Sequence, residues 1–274
     1  WRKLSYADAK RTVDGLTQGL LNLKLDGRPV AILSGNSIEH ALLTMAAMQA
    51  RLPAAPVSPA YSLMSQDHLK LKYLFNLIKP AVVMVQDGPS FEKALRAIDL
   101  AGITVVHVLR PCEGIKSVAF AELAATKVTA DVGNSIAKIT PETVGKLLFT
   151  SGSTGMPKGV RHLHSNLAAT AETYAKQVLG IREDDVGLSA AKLFFAYGLG
   201  NALTFPMSVG ATTVLNSERP TPAVMFALMN KYHPSIFFGV PTLFAAMLND
   251  EATKTQSGGD RLRVCTSAGE ALPE

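Results

Sequence analysis

Residues 149–159 read Phe149-Thr150-Ser151-Gly152-Ser153-Thr154-Gly155-Met156-Pro157-Lys158-Gly159. Glycines allow backbone turns barred to other residues and let main-chain N–H groups approach an anion. The hydroxyls of Thr150, Ser151, Ser153 and Thr154 add hydrogen-bond donors, and Lys158 adds a positive charge. That combination suits a polyphosphate. It is not a Walker A loop, which places Gly directly before its Lys and Ser or Thr after it; Pro157 and Gly159 stand there instead. Taken as a generic Gly/Ser loop, the segment would only join a strand to the next element.

A second concentration of chemistry-bearing residues is Lys192-Leu193-Phe194-Phe195-Ala196-Tyr197-Gly198-Leu199-Gly200-Asn201. Three rings beside glycines can form a flat slot for an aryl group. The residues alone fit aromatic core packing as well. Further on lie Phe238-Gly239-Val240-Pro241-Thr242 and Cys265-Thr266-Ser267-Ala268-Gly269-Glu270-Ala271-Leu272-Pro273.

The elements that must position these segments alternate along the chain. Ser5 is placed to cap a helix over 6–23, with Val13, Leu16, Leu20 and Leu21 at helical spacing. Strands are expected at 29–33, 81–85, 104–109, 144–150, 211–215, 235–240 and 262–267. Helices are expected at 37–50, 66–78, 90–99, 165–177, 222–232 and 242–248. The segment 113–140 reads as a connection with one short helix near 120–125, and 253–260 as a linker-like patch. Wholly apolar strands alternating with helices imply an α/β fold with parallel sheets covered on both faces.

The ordered run from Thr150 to Gly159 resembles the signature of the adenylate-forming superfamily, which comprises acyl-CoA synthetases, peptide-synthetase adenylation domains and luciferases. Leu4-Ser5-Tyr6 resembles the family's opening motif, and 54–59 occupies its G-x-x-x-x-P-L-x-P segment, although Arg51-Leu52-Pro53 departs from the usual glycine. The Lys192–Asn201 segment looks like the form found in benzoate-CoA ligases. Between about Pro29 and Lys158 the chain looks more like feruloyl-CoA synthases, and from about Arg161 like the benzoate type, so a mosaic is expected.

The resemblance implies the N-terminal domain of the adenylate-forming fold: two mostly parallel sheets flanked and separated by helices, incomplete at the C-terminus. One sub-lobe would span about 25–180 and the other 1–24 plus 181–274, with the C-terminal lid domain absent. It implies ATP bound by Thr150, Ser151, Gly152, Ser153, Thr154, Gly155 and Lys158 around its β- and γ-phosphates, and by Gly269, Glu270 and Ala271 at adenine. An aryl acid would be lined by Phe195, Ala196, Tyr197, Gly198, Gly239, Ser267 and Ala268. Acid and ATP, with Mg²⁺, would give acyl-AMP and pyrophosphate, and CoA would then take the acyl group. Thr150 and Lys158 are the catalytic candidates, Lys158 as an electrostatic partner rather than a general base. No side chain of the chain is assigned as a metal ligand. Because Glu274 directly follows the adenine segment, this chain by itself is expected to bind ATP weakly and not to turn over. A carrier-loading adenylation domain would use an Asp in the acid pocket, which Phe195-Ala196-Tyr197 lacks; a non-catalytic nucleotide-binding module is the alternative of another class.

Composition sets outer bounds. With 274 residues, 47% apolar and 18% charged, the chain can bury a sizeable core. The net charge of +5 is scattered, with no run of four basic residues, which speaks against a nucleic-acid partner. Cys112 and Cys265 lack metal or disulfide spacing. The six histidines show no metal spacing either, and of these only His162 and His164, just past the loop, invite testing. No apolar leader follows Trp1, and the uncharged stretch 193–217 carries too many Gly, Pro, Thr and Asn residues for a lipid-facing helix. A cytoplasmic protein without a membrane partner is expected; its oligomeric state is left open.

Overall fold

The computed structural model describes residues 1–150, 155–251 and 258–271. The chain folds as two compact units, Trp1–Ser165 and Asn166–Glu274.

The first unit runs α1 (Tyr6–Asn22), β1 (Val30–Leu33), α2 (Ile38–Gln49), β2 (Ala54–Pro56), α3 (Ala60–Leu63), α4 (Leu69–Ile78), β3 (Val82–Val85), α5 (Gly88–Ala97), β4 (Thr104–His107), β5 (Ser117–Ala119), α6 (Phe120–Ala124), α7 (Ala130–Ile136), β6 (Val144–Thr150) and β7 (Lys158–Leu163). Its seven strands are ordered β5-β4-β3-β1-β2-β6-β7, and every pair is parallel except β6–β7. Strand alternation sorts the apolar residues onto two faces. Val30, Ile32, Val82 and Met84 join one core with α1 and α2, while Ala31, Leu33, Val83 and Val85 join a second with α4 and α5. Burial on both faces is why these strands read as unbroken apolar runs.

Caps fix the helix starts. The Ser5 hydroxyl accepts from Asp8 N at 3.1 Å, and the Ser37 hydroxyl from His40 N at 3.0 Å. The helix expected from 66 begins instead at Leu69: Ser65 and Asp67 accept from the backbone N–H groups of His68 and Leu69, and His68 adopts φ 53°. That local turn holds the chain out of the helix.

After α8 (His164–Thr170), the second unit contains a π-helical turn at Ala171–Lys176, β8 (Val186–Ser189), α9 (Ala196–Leu199), a second π-helical turn at Gly200–Thr204, α10 (Phe205–Val209), β9 (Thr212–Val214), α11 (Pro222–Tyr232), β10 (Ile236–Gly239), α12 (Pro241–Leu248) and β11 (Val264–Ser267). Its four strands, all parallel, are ordered β11-β10-β8-β9. Leu188 and Phe237 pack with α11 and α12 on one face, and Ile236 and Phe238 with Ala171, Ala175 and Phe205 on the other. The uncharged stretch at 193–217 forms short helices and a strand, and among the described residues no helix is long and apolar enough to cross a membrane.

Two mostly parallel sheets with covering helices are what the sequence leads one to expect, but the grouping of segments differs. Residues 1–24, expected with the second lobe, fold into the first unit: Val13, Leu16 and Leu20 share a core with Leu42, Leu43 and Ala46 of α2. Gly15 makes that seat possible, since a Cβ there would sit 2.1 Å from the Ala124 carbonyl oxygen of α6. Residues 166–180, expected with the first lobe, place Ala171, Ala175 and Leu179 in the core of the second unit.

Candidate functional site

In the first unit the candidate phosphate site is the tip of a hairpin. β6 and β7 pair antiparallel with Leu148 opposite Val160, Phe149 opposite Gly159 and Thr150 opposite Lys158. Residues directly opposite in such a pair project from the same face. Thr150 and Lys158 are therefore brought together at the mouth of the turn, and both are exposed. Gly155 within the turn has φ +85°, a conformation that L side chains rarely adopt. Ser151, Gly152, Ser153 and Thr154 lie outside the described residues. Beside the hairpin, Tyr61, Met64, Asp67, Lys70 and Met156 line a cleft of about 360 Å³.

In the second unit the expected acid-site residues meet at the carboxyl ends of the parallel strands, the edge where open α/β sheets bind ligands. Gly239 ends β10 and pairs with Ser267 at the end of β11. Ala268, Gly269, Glu270 and Ala271 follow directly, Gly269 with φ +93°. Tyr197 ties the aromatic segment to this edge: its hydroxyl donates to the Gly239 carbonyl at 3.1 Å and lies 2.8 Å from Thr266 Oγ1. Burial raises the Tyr197 phenol above its ordinary pKa, so it remains a hydroxyl at neutral pH.

Ala196, Tyr197 and Gly198 start α9, and Phe195 stands at its N-cap, half exposed, its ring 4.5 Å from that of Phe194. At Gly198 a Cβ would fall 2.1 Å from the Lys192 carbonyl oxygen. The chain doubles back tightly there, and only glycine fits. Gly239 leaves space beside the end of β10. The space it leaves is filled by the protein's own ring, since a Cβ there would lie 2.5 Å from Phe244 Cε2. Phe244 in turn packs edge-on against Phe237 at 5.5 Å.

Two features escaped the sequence reading. Lys192 Nζ donates to the carbonyls of Asn216 at 2.7 Å and Glu218 at 2.5 Å, pinning the start of the aromatic segment to the loop after β9. Burial lowers its amine to about 8. Its only sequence signal was one lysine among apolar neighbours. The other is Lys146 on β6, fully buried where a surface charge is the ordinary expectation for lysine. His162 and His164 both have pKa values lowered by burial, and Lys146 adds to the effect on His162. Among the described residues no group of three or more His, Cys, Asp or Glu side chains could hold a metal.

Tyr197→Phe tests the tie between α9 and the strand ends. Removing the hydroxyl leaves the Gly239 carbonyl and Thr266 without their partner, for an expected loss of about 1 to 2 kcal/mol in a urea titration.

Fold and site together define a family. The model for AMP-binding enzymes matches residues 1–274, and the chain belongs to that family. A benzoate–CoA ligase of Thauera aromatica is 63% identical over 128 residues, 46% of this chain and 24% of that protein. The 4-hydroxybenzoate–CoA/benzoate–CoA ligase of Rhodopseudomonas palustris is 36% identical over 275 residues, covering 99% of this chain and 49% of that protein. Among solved structures, a benzoate CoA ligase from Burkholderia xenovorans LB400 superposes with a TM-score of 0.83 at 32% identity, over 98% of this chain and 51% of its own. The chain thus spans about half the length of relatives that match it throughout.

Proposed function

We propose that this chain carries the ATP and acid sites of an AMP-forming aryl-acid CoA ligase of the benzoate or hydroxybenzoate type. The observation that carries the reading is the juxtaposition of Thr150 and Lys158 across the mouth of the hairpin in a member of the AMP-binding family. A hydroxyl and an ammonium side by side, with a left-handed Gly155 in the turn between them, form a cradle for the outer phosphates of ATP. Electrostatic positioning is what attack of a carboxylate on the α-phosphate needs, with Mg²⁺ carried in by the nucleotide and CoA as the later acyl acceptor. Ser151, Gly152, Ser153 and Thr154 belong to this cradle by motif position, and Gly269, Glu270 and Ala271 to the adenine site. Phe195, Ala196, Tyr197, Gly198, Ser267 and Ala268 are the acid-site candidates, with Gly239 acting through Phe244. A cytoplasmic location goes with this reading.

A mosaic of feruloyl-type and benzoate-type stretches is supported by the uneven likeness to relatives: 63% identity over less than half the chain against 36% over nearly all of it. Both types activate aryl acids, so the substrate class is the same under either. The experiment is calorimetric titration of the chain with MgATP, followed by a pyrophosphate-release assay with benzoate, 4-hydroxybenzoate and ferulate. Saturable MgATP binding with little pyrophosphate is expected. No binding of MgATP would overturn the nucleotide site, and rapid release would overturn the expected inactivity of this chain on its own.

A further inference from the structure

The hairpin that presents Thr150 and Lys158 rests on an unusual floor. Lys146 is fully buried, and among the described residues its amine has no hydrogen-bond partner. On α2, His40 is fully buried with Nε2 unpartnered, and Thr44, one turn on, is buried with its hydroxyl unpartnered. These groups share one face. Lys146 stands opposite His162 in the β6–β7 pair, and the ladder shifts register between Val144 and Lys146. Gly145, within that shift, faces α2 and the start of α8: a Cβ there would lie 3.2 Å from Met48 Cε and 3.1 Å from His164 Cδ2. Met48, Thr44 and His40 are spaced four residues apart on α2, so they form the stripe that lies against β6.

The chemistry of the stripe is complementary. His40 Nδ1 lies 3.0 Å from the Gly35 carbonyl, which can only accept, so Nδ1 carries the ring proton and Nε2 of the neutral ring is an acceptor. A buried acceptor and a buried amine therefore face a common region. Among the described residues no carboxylate balances the amine. The nearest acid on α2, Glu39, is engaged with Arg2 at 2.7 Å. The other titratable groups toward Lys146 are His40 on α2, His162 on β7 and His164 at the start of α8; β2 contributes Ala54.

We propose that Lys146 is a positioning residue for the phosphate hairpin: with His40 and Thr44 it forms a latch that seats β6 and β7 against α2 while the amine is neutral, and frees them when it takes a proton. An ammonium without a counter-ion is strongly disfavoured in a core, and it regains water by moving its strand outward. β7 is the edge strand, exposed along Lys158–Arg161, so it is the element with room to move. Burial lowers the Lys146 amine from 10.5 to about 7, whereas His40 is lowered to about 3 by burial first and by Lys146 second. The sign follows: a lysine with a depressed folded value destabilises its seat as pH falls from the open-form value of 10.5 toward the folded value of about 7, each pH unit in that window favouring the proton-bound, open form about tenfold more, and the effect levels off below it. His40 does not titrate in that window, and His162 and His164 are held below the ordinary histidine range.

The test is amide hydrogen exchange over 144–150 and 158–163, corrected for intrinsic rates, at about pH 8.5 and about pH 7, in the whole chain and in its Lys146→Met variant. The native hairpin is expected to lose about tenfold in protection at the lower pH, with β1 and β3 unchanged, and Lys146→Met to keep its protection at both. Equal protection at the two pH values in the native chain, or parallel losses in both proteins, overturns the latch; a purely structural lysine gives that second result. The native measurement decides even if the variant does not fold. MgATP titrations at the same two pH values extend the test and rest on the function proposed above. Affinity several-fold weaker at the lower pH in the native chain, and level in Lys146→Met, supports the latch as a positioner of the nucleotide loop. Absence of MgATP binding at either pH sinks the nucleotide reading and with it the positioning role, while exchange still decides whether the latch exists.

Discussion

Replacing Lys158 with alanine is expected to weaken MgATP binding by the chain about 10- to 100-fold while leaving its thermal unfolding unchanged. Lys158 is exposed at the first position of β7, directly across from Thr150. Among the described residues its exposed side chain makes no hydrogen bond or ion pair, so truncation should change stability by no more than about 0.5 kcal/mol. Its ammonium is the one positive side chain at the mouth of the hairpin among the described residues of the tip. A charge-assisted hydrogen bond to phosphate contributes about 1.5 to 3 kcal/mol, which sets the expected range. Lys158→Arg should recover part of the loss, because charge is kept while reach and geometry change. Calorimetric titration reads the affinity and differential scanning calorimetry the fold. Unchanged affinity would mean that the hairpin tip does not hold the nucleotide.

The contrast between Lys158 and Lys146 also shows where a sequence is legible. Elements whose residues obey one strong local rule were readable: the apolar runs of β1 and β3, the Ser-capped starts of α1 and α2, the helix at 222–232. Thr150 and Lys158 could be singled out as candidates because the ordered motif is itself a local signal. What failed depended on distant neighbours. β7, Lys158-Gly159-Val160-Arg161-His162-Leu163, lacks an apolar run because it is an edge strand with one solvent-facing side, so its antiparallel pairing with β6 left no mark. α7 was hidden in a polar connection; its cap is Thr129, whose hydroxyl accepts from Asp131 N at 3.2 Å, and Gln18 of α1 holds Thr129 from 111 residues away. β8, four residues with a glycine, is too short for a period to show, and it exists because β10 and β9 flank it. Gly239 was expected as a lining residue of the acid site. Only the packing of α12 revealed that Phe244 takes the space.

A second large effect is expected in the second unit, at the start of β8. Asp185 is 3% exposed, and its carboxylate accepts from Ser235 Oγ at 2.6 Å, Arg263 Nε at 3.0 Å, Arg263 Nη2 at 2.5 Å and Arg182 N at 2.8 Å. The residue thereby joins the entry of β8 to the residue before β10 and to the residue before β11, the three strands whose far ends carry the candidate acid site. Asp185→Ala removes the carboxylate that Arg263 and Ser235 share; because Arg263 is 28% exposed and keeps its bond to the Gly180 carbonyl, the expected cost is about 2 to 3 kcal/mol. A urea titration should show that loss near neutral pH. The loss should also depend on pH in a defined direction. Burial alone would raise the carboxyl, but the bonds from Arg263, Ser235 and Arg182 outweigh it, so the folded value lies below the ordinary 3.8. A depressed carboxyl contributes stability that is complete above its unfolded value, about 3.9, and is lost as pH falls through the folded value. The gap between native chain and Asp185→Ala should therefore be constant from neutrality down to about pH 5 and close progressively below about pH 4. A gap that stays full in acid would show that the carboxylate contributes by shape and not by charge. Asp185→Asn separates the two further, since the amide oxygen can still accept from Ser235 but brings no charge to Arg263, and it should fall between the native chain and Asp185→Ala.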